Sequence, residues 1–309
     1  MDLLKYVLVM NITLKVDEQK INEMLEFYSN NIVPNNGEYI YFFAKIDHKT
    51  ITAYKSKNNQ YKVVFNDYNE ALIWDNNLDI NDIEKKKKTT INKANWINKN
   101  NQIGSDEVGT GDFFGPICVV ASFVTNNDIE YLRKLGVDDS KRLSDEKILE
   151  IGLQLINKIP YCSLSLDNEK YNQMIKNGYN MNSIKALMHN YVLSKLNKKY
   201  PNNLVVLDKF CPEDKYYSYL NNETDVLHNI VFQEKGESYY PSIAVSSIIA
   251  RYSFLKKMEK LNEKYQLIFP FGAGKKVDEF VKIFIEKYNI DELKKITKTN
   301  FKNFNEINK

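Results

Sequence analysis

Two adjacent carboxylates, Asp106 and Glu107, lie at the end of a predicted strand and lead directly into the turn Gly109-Thr110-Gly111. Because neighbouring side chains on a regular strand point to opposite faces, the strand must end or distort here if both acids are to reach one site. The glycines permit such a distortion, and they let a polynucleotide backbone approach the main chain closely. Taken alone, the pair is more typical of an ordinary acidic hairpin turn than of a metal site.

Two further acids change that balance. Asp208 ends the apolar run Val205-Val206-Leu207, and Glu237 lies in Lys235-Gly236-Glu237-Ser238, shortly before a long predicted helix. A carboxylate at the end of a buried strand is unfavourable unless it is paired or bound to a metal. Four carboxylates brought together repel one another but suit divalent cations, and oxygen donors favour Mg²⁺ or Mn²⁺, with two ions about 3.5–4 Å apart for phosphodiester hydrolysis. Asp208 as a turn cap and Glu237 as a surface acid remain the alternatives.

The elements that must position these acids are predicted from residue 102 onward. Strands are expected at Gln102–Glu107, Ile117–Val124, Tyr161–Leu166, Leu204–Leu207 and Ile230–Gln233, and helices at Asn168–Asn177, Ser183–Lys198, Val245–Tyr265 and Lys276–Tyr288. Three strands followed by alternating helices and strands predict an α/β (α+β) fold with a mixed sheet flanked by helices.

The first block of the chain predicts a separate small domain. Strands are expected at Tyr6–Val16, Glu38–Ile46, Thr50–Lys55 and Gln60–Phe65, with helices after Asp17 and at Asn69–Trp74. This β-α-β-β-β-α order gives a small sheet with helices on one face. Several aromatic residues could share a sheet face that contacts nucleic acid, with Lys55, Lys57 and Lys62 nearby, or could belong to the core; they are Tyr39, Tyr41, Phe43, Tyr54 and Tyr61.

The domain boundaries follow from a change in composition. Residues 76–101 are polar, include Lys85-Lys86-Lys87-Lys88, and are expected to form a linker. We therefore predict a small domain at residues 1–75 and a second domain at residues 102–309. The lysine run is either a solvated stretch, which is the more ordinary interpretation, or a tether that contacts phosphate groups.

Composition argues against several other classes of protein. Cys118, Cys162 and Cys211 are far apart and lack C-x-x-C spacing, so neither a disulfide framework nor a zinc site is expected. No apolar run is long enough for a membrane span, and the N-terminus lacks the pattern of a signal peptide. We expect a monomeric cytoplasmic protein. Its net charge of +3 is small and almost all its cations are lysines, so phosphate contacts must rely mainly on lysine and main-chain N–H groups.

The segment Gly104–Pro116 resembles the signature of ribonuclease HIII, a type 2 ribonuclease H. Further segments resemble the same family in the same order: Gly136–Leu143, Asn180–Ala186, Leu207-Asp208, Gly236–Ser238, Ala244–Arg251 and Gly272–Asp278. The first block resembles the TATA-binding-protein-like N-terminal domain of that family. The resemblance covers nearly the whole chain, and the ordered set is far more specific than any one of its pieces.

The resemblance implies an endonuclease that cuts the RNA strand of RNA–DNA hybrids and leaves 5′-phosphate and 3′-hydroxyl ends. It places the catalytic, metal-binding carboxylates at Asp106, Glu107, Asp208 and Glu237, with Asp106 and Asp208 as the central pair. It also implies substrate-binding residues: Gly109, Thr110 and Gly111 would meet ribose 2′-hydroxyls through their main chain, and Lys141 and Asn182 would contact phosphate.

Some residues in or near these motifs are not assigned a role in the site. His189 falls in the family's helical motif but is expected to be structural, and the adjacent acids Asp138 and Asp139 are not expected to be ligands. Asn300 stands where the family would have a histidine.

Three alternatives to a hybrid-cutting enzyme remain. A ribonuclease HII-like enzyme would nick at single ribonucleotides in duplex DNA, but Thr110 stands where that type carries an arginine, Glu237 replaces an aspartate, and the N-terminal domain is extra. A non-catalytic hybrid-binding protein would be expected to have lost a carboxylate. A nucleotide-binding module is disfavoured because Gly109-x-Gly111 lacks a third glycine and adjoins two acids.

Overall fold

The computed structural model describes residues 12–34, 40–55, 60–78, 96, 100–137 and 140–305. The chain divides into two units, Met1–Asn92 and Lys93–Lys309. The start of the first predicted strand, Tyr39, Lys57, most of the predicted linker and residues 138–139 lie outside the described part, so the expectations for them stay predictions.

The N-terminal unit has the predicted β-α-β-β-β-α order. Its elements are β1 (Ile12–Val16), α1 (Glu18–Phe27), β2 (Ile40–Ile46), β3 (Lys49–Lys55), β4 (Tyr61–Phe65) and α2 (Tyr68–Leu72). The strands form one antiparallel sheet in the order β1-β4-β3-β2. Asp17 caps α1 by accepting a hydrogen bond from the Lys20 N–H at 2.9 Å, as its residue type predicts.

Helices cover one face of this sheet, and the described residues of the other face are exposed or half-buried. Ile21 and Met24 of α1 are fully buried against the alternate residues of each strand. Lys15, Lys45 and Lys62 alternate with these core residues and are exposed, as a half-buried antiparallel sheet requires.

The predicted aromatic face is only partly confirmed. Tyr61 is a core residue that is 2% exposed. The Tyr41 hydroxyl donates to Asn22 Oδ1 of α1 at 3.2 Å, because a bulge between Ile40 and Phe42 turns Tyr41 toward the helix. Tyr54 stays exposed beside the lysines of the open face.

The C-terminal unit contains the predicted mixed sheet. Its strands are β5 (Gln102–Val108), β6 (Ile117–Val124), β7 (Tyr161–Leu166), β8 (Leu204–Asp208) and β9 (Ile230–Gln233), and its helices are α3 (Ile129–Leu135), α4 (Asp145–Lys158), α5 (Asn168–Lys176), α6 (Met181–Lys199), α7 (Glu213–Ser218), α8 (Pro241–Tyr265), α9 (Lys275–Lys287), α10 (Ile290–Ile296) and α11 (Lys302–Asn305). The sheet order is β7-β6-β5-β8-β9, with β6 antiparallel to β5 and β7, and β8 parallel to β5 and β9.

Helices cover both faces of this second sheet. Along β6, whose residues are all buried, Val119 and Ala121 belong to the core beneath α6, while Val120 and Val124 belong to the core beneath α8 and α4. Burial on both faces explains why β6 is a continuous apolar run rather than an alternating one. In the described part of the chain, no helix combines the length and apolarity needed to cross a membrane.

Helix α8 lies unusually close to β5. A Cβ atom on Gly104 would stand 2.3 Å from Ser242 Oγ. Ser246 donates a 2.7 Å hydrogen bond to the Gly104 carbonyl. The small residues at the start of α8 thus allow helix and strand to approach closely enough for α8 to reach the acids of β5.

Candidate active site

The acids meet where β5 and β8 separate. Strand β5 pairs with β6 along its whole length, as far as Val108 opposite Cys118. Its pairing with β8 stops earlier, at Ser105 opposite Leu207. Asp106 and Glu107 follow this last pair on β5, and Asp208 follows it on β8. The prediction that β5 ends or distorts at the acidic pair is therefore wrong, because β5 stays paired with β6 through Val108. The space beside the acids arises because β8 separates from β5 after Ser105.

Asp106 points toward α8. Its side chain accepts hydrogen bonds from the Glu107 N–H, at 2.7 Å, and from Ser247 of α8. Burial, followed by the negative charges of Glu107 and Asp208, raises the pKa of Asp106 well above its usual value. Asp106 is thus a desolvated carboxylate with two like charges close by.

Asp208 and Glu237 complete the acidic group. Asp208 Oδ1 accepts a 2.8 Å hydrogen bond from the Gly236 N–H. Burial and the charges of Glu237 and Glu107 raise the pKa of Asp208 to about 6, against the opposing effects of Gly236 and Lys141. The charges of Glu107 and Asp208 thus act on Asp106, and the charge of Glu237 acts on Asp208.

A tight turn holds Glu237 in place. Glu237 is 5% exposed and lies in a 3₁₀ turn at Gly236–Ser238, and its carbonyl accepts a 3.2 Å hydrogen bond from the Trp96 indole. A Cβ atom on Gly236 would meet Ile243 Cδ1 at 2.3 Å and Asp208 Oδ1 at 3.4 Å. Glycine at 236 thus lets the turn pack directly against Asp208.

Glu107 points to the opposite face, where two residues of α6 hold it. Lys185 Nζ forms an ion pair with Glu107 Oε1, and His189 Nε2 lies 2.9 Å from Glu107 Oε2. Burial alone would raise the pKa of Glu107, but the His189 hydrogen bond and the charge of Lys185 outweigh burial and lower it to about 2. Glu107 is therefore ionised and fixed in orientation.

His189 acts as a neutral donor to Glu107. It is fully buried, and burial lowers its pKa despite the neighbouring carboxylate. The neutral ring that donates through Nε2 accepts through Nδ1, which lies 2.9 Å from Ser105 Oγ. The contacts of Lys185 and His189 with Glu107 were not predicted, although the spacing of four residues places the two side chains on one helix face.

The glycine turn is buried at Gly109 and exposed at Gly111. Gly109 has φ 96°, and a Cβ atom there would lie 2.1 Å from the Pro116 carbonyl oxygen, so only glycine fits. Gly111 is exposed, and a Cβ atom there would meet nothing within 4 Å. One glycine thus shapes the turn, and the other leaves room for a ligand to approach.

A buried lysine fastens the chain that follows this turn. Lys298 Nζ donates hydrogen bonds of 2.7 Å to the carbonyls of Asp112 and Gly115. Lys298 is 0% exposed, and burial lowers its pKa to about 7. Asn300, where a histidine was expected, accepts a 3.1 Å hydrogen bond from the Tyr171 hydroxyl. The C-terminal segment therefore helps to position the glycine turn.

The two predicted phosphate contacts differ in how closely they approach the acids. Lys141 is exposed, and its charge lowers the pKa of Asp208, which places it beside the site. Asn182 is exposed on the first turn of α6, the helix that carries Lys185 and His189. The structure records no contact between Asn182 and the four acids.

The donor set fits a hard divalent cation. Among the described residues, no group of three or more histidine, cysteine, aspartate or glutamate side chains has the arrangement of a preformed metal site. The four acids nevertheless supply only oxygen donors, which Mg²⁺ and Mn²⁺ prefer. Burial first and the neighbouring acids second raise the pKa values of Asp106 and Asp208, and bound cations would offset both effects.

Comparison with known proteins agrees with this architecture. A family model described as Ribonuclease HII matches residues 103–304, and another, described as a domain of unknown function, matches residues 11–91. Ribonuclease HIII of Bacillus cereus (strain ATCC 10987 / NRS 248) is 37% identical over 309 residues, which cover 95% of this chain and 96% of that protein. Ribonuclease HIII of Bacillus anthracis is 38% identical over 303 residues, with the same coverage.

Solved structures give the same result. A crystal structure of Bst-RNase HIII in complex with Mn²⁺ matches with a TM-score of 0.65 and 31% identity, covering 96% of this chain and 97% of that one. Aquifex aeolicus RNase H3 matches with a TM-score of 0.55 at 20% identity, which supports the fold alone. The chain therefore belongs to the ribonuclease HII family and, within these type 2 ribonucleases H, to the ribonuclease HIII group of enzymes.

Proposed function

We propose that the chain is a divalent-metal-dependent endonuclease that hydrolyses the RNA strand of RNA–DNA hybrids and leaves 5′-phosphate and 3′-hydroxyl ends. The observation that carries this proposal is the acidic group at the fork between β5 and β8, where Glu107 and Asp208 repel Asp106 and Glu237 repels Asp208. This group lies beside a glycine turn whose Gly111 is exposed. Such a group is suited to Mg²⁺ or Mn²⁺ and to phosphodiester chemistry.

The four acids would hold two ions. Asp106 and Asp208 would be the central pair, and Glu107 and Glu237 would complete the shell. When bound, the ions would supply a nucleophile at neutral pH and offset charge on the scissile phosphate. Lys185 and His189 keep Glu107 ionised and oriented. The Gly236 N–H orients Asp208 and opposes the rise in its pKa.

Selectivity for RNA would come from the glycine turn. The main chain at Gly109, Thr110 and Gly111 would contact ribose 2′-hydroxyls, the group that distinguishes RNA from DNA. The open space around Gly111 and the clamp formed by Lys298 support this role, since a reader of 2′-hydroxyls must be both accessible and fixed. Lys141, beside Asp208, and Asn182 would contact phosphates.

The N-terminal block would contribute affinity rather than chemistry. We propose residues 1–75 as the substrate-binding domain, residues 76–101 as the linker and residues 102–309 as the catalytic domain. The division between Asn92 and Lys93 falls inside the proposed linker. The open sheet face with Lys15, Lys45 and Lys62 supports a grip on phosphates.

Cleavage assays with three duplexes test the function. A hybrid with several consecutive ribonucleotides should be cut in Mg²⁺ or Mn²⁺, and a chelator should abolish the cutting. Equal cleavage of duplex DNA of the same sequence would disprove the 2′-hydroxyl mechanism. Preferential nicking at a single embedded ribonucleotide would favour the ribonuclease HII-like alternative, and hybrid binding without cleavage would favour a non-catalytic protein. End-labelled products show whether the ends carry 5′-phosphate.

A further inference from the structure

A tryptophan from the segment predicted as a linker is buried in the C-terminal unit. Trp96 lies within residues 76–101 and is 2% exposed. It belongs to the unit that begins at Lys93, and its ring is part of the core that contains Ala244 and Val245 of α8. The end of the proposed linker is therefore fixed to the C-terminal unit at this residue.

The polar atom of this side chain reaches the turn that carries Glu237. The Trp96 indole N–H donates a 3.2 Å hydrogen bond to the Glu237 carbonyl, which lies 141 residues further along the chain. Glu237 is itself buried, and a main-chain carbonyl in a buried residue needs a hydrogen-bond partner. Trp96 thus supplies a donor to a residue of the acidic group.

The sequence after Glu237 explains why this donor comes from outside the turn. The Tyr240 N–H bonds to the carbonyl of Gly236, four residues earlier, at 2.8 Å, which is the helical pattern. The next bond of that pattern would join the N–H of residue 241 to the Glu237 carbonyl. Residue 241 is a proline, which has no N–H, so that bond cannot form. The Trp96 indole takes the place of the missing donor.

Two distant parts of the chain therefore hold consecutive residues of this short turn. The Gly236 N–H donates to Asp208 Oδ1 at 2.8 Å, and the Glu237 carbonyl accepts from Trp96. Together these bonds limit how the turn can rotate, and the Glu237 side chain is attached to it. Because Trp96 bonds to the main chain of Glu237, its effect on the carboxylate is indirect.

We propose that Trp96 is a positioning residue for Glu237, holding the turn so that the Glu237 carboxylate can bind a divalent cation together with Asp208. The inference rests on the proposed function, in which Glu237 is a metal ligand. It gives the end of the linker a part in the metal site, in addition to its joining of the two domains.

Two substitutions that remove the same chemical group provide a matched test in the full-length chain. Trp96→Phe keeps a buried aromatic ring and removes the N–H that bonds to Glu237. Trp74→Phe, in the N-terminal unit, removes an indole N–H that donates to the Tyr28 hydroxyl at 2.8 Å. Mn²⁺ binding is measured without nucleic acid by electron paramagnetic resonance of the free ion. Trp96→Phe should weaken it roughly 10-fold, as loss of an outer partner of a metal site does, and Trp74→Phe should not.

Steady-state cleavage at rising Mn²⁺ concentration separates positioning from general damage to the core. For Trp96→Phe, kcat should recover when Mn²⁺ is saturating and the KM for hybrid should be unchanged, because all four acids are kept and only their arrangement before metal binding differs. Slow cleavage by Trp96→Phe at every Mn²⁺ concentration would contradict the positioning role.

Fluorescence tests the proposal without changing Trp96. The chain has two tryptophans, so Trp96 is the single one in Trp74→Phe. Mn²⁺ should change its emission with the midpoint found by paramagnetic resonance, and adding Glu237→Gln should move this change to much higher Mn²⁺ concentrations. Trp96 emission that is insensitive to bound Mn²⁺, or equal Mn²⁺ affinities of Trp96→Phe and Trp74→Phe, would overturn the proposal. An unsubstituted chain that binds Mn²⁺ without cutting hybrid would refute the proposed function separately.

Discussion

Side chains alternate between the two faces of the strands in both sheets of the molecule, but the two sheets differ in how many of those faces are covered. In the N-terminal sheet, helices cover one face, and Lys15, Lys45 and Lys62 project from the other. In the C-terminal sheet, both faces are covered and β6 is wholly buried, so its polar chemistry is confined to the edge where β5 and β8 separate. A face can spread weak contacts over a large area, whereas an edge concentrates a few groups in one place.

The difference extends to what each set of side chains requires. The lysines of the open face are solvated and need no protein partner. The acids at the edge are buried or half-buried, and three of the four have a contact with a particular residue: Ser247 for Asp106, Lys185 for Glu107 and Gly236 for Asp208. Single substitutions at the edge should therefore change turnover, and changes to the face should change affinity.

The largest effect is expected from neutralising an acid at the edge. Asp106→Asn or Asp208→Asn removes a proposed ligand charge with almost no change in volume, so cleavage should fall by more than about 100-fold, since altering outer partners of a metal site alone costs roughly 10–100-fold. The fold should remain, because repulsion among the acids is relieved. Asp291→Asn, at an exposed acid, is the control. Near-normal turnover by either edge variant in Mg²⁺ or Mn²⁺ would disprove the assignment.

A second variant tests whether the edge depends on its partners. Lys185→Met removes the cation that pairs with Glu107. Losing one partner of a buried ion pair lowers the free energy of unfolding by up to about 3–5 kcal/mol. Cleavage should fall by roughly 10–100-fold as Glu107 loses its fixed orientation. Urea unfolding and cleavage across a series of metal concentrations measure the two effects. Lys195→Met, at an exposed position of the same helix, should change neither, and full activity of Lys185→Met would show that Glu107 needs no clamp.

A third prediction concerns the pH dependence of stability. Burial lowers the pKa of Lys298 to about 7, so between that pH and the ordinary lysine value the unfolded chain holds a proton that the folded chain has released. The free energy of unfolding should therefore gain up to about 1.4 kcal/mol per pH unit from this group as pH rises through that window, and the destabilising effect of Lys298 should be complete below it.

Lys298→Met should remove this contribution, and Lys294→Met, at an exposed lysine, should keep it. Urea unfolding across a pH series measures both variants. A profile for Lys298→Met that is parallel to that of the unsubstituted chain would mean that Lys298 titrates normally. Because Lys298 also holds the Asp112 and Gly115 carbonyls, its loss should reduce discrimination between hybrid and duplex DNA more than it reduces turnover.

Much of the fold could be predicted because the relevant signals are local. The strands at Ile117–Val124, Tyr161–Leu166 and Ile230–Gln233 have the predicted bounds, since each is a short run rich in apolar or β-branched residues between turn signals. Helix α8 begins at Pro241 instead of the predicted Val245, because a proline at the first position and small serines that pack on β5 extend it toward the N-terminus. Helix α4 was not predicted, although Ser144 caps it.

The site was less predictable because it depends on contacts between distant elements. That the acids lie at strand ends is visible in the sequence, but the fork between β5 and β8 is set by where their register stops. The clamp of Lys185 and His189 on Glu107 depends on how α6 sits over β5, which helical spacing alone does not determine. Tyr41 likewise leaves the open face only because of a bulge in β2.

The smallest effect on turnover is expected from removing the N-terminal face. A truncated chain that begins at Lys93 retains the C-terminal unit with its sheet, its helices and all four acids. It should bind hybrid more weakly and show a higher KM with little change in kcat. The reason is that the lost contacts stabilise bound substrate and transition state equally, while the four acids are kept. A full-length chain with Lys15, Lys45 and Lys62 changed to Gln should show part of the same loss, with a shallower dependence on salt. Affinity and steady-state kinetics at matched salt provide the comparison. Unchanged affinity would show that the open sheet face does not bind the hybrid. A loss of kcat in a folded truncated chain would mean that the N-terminal unit is needed for an active arrangement of the four acids.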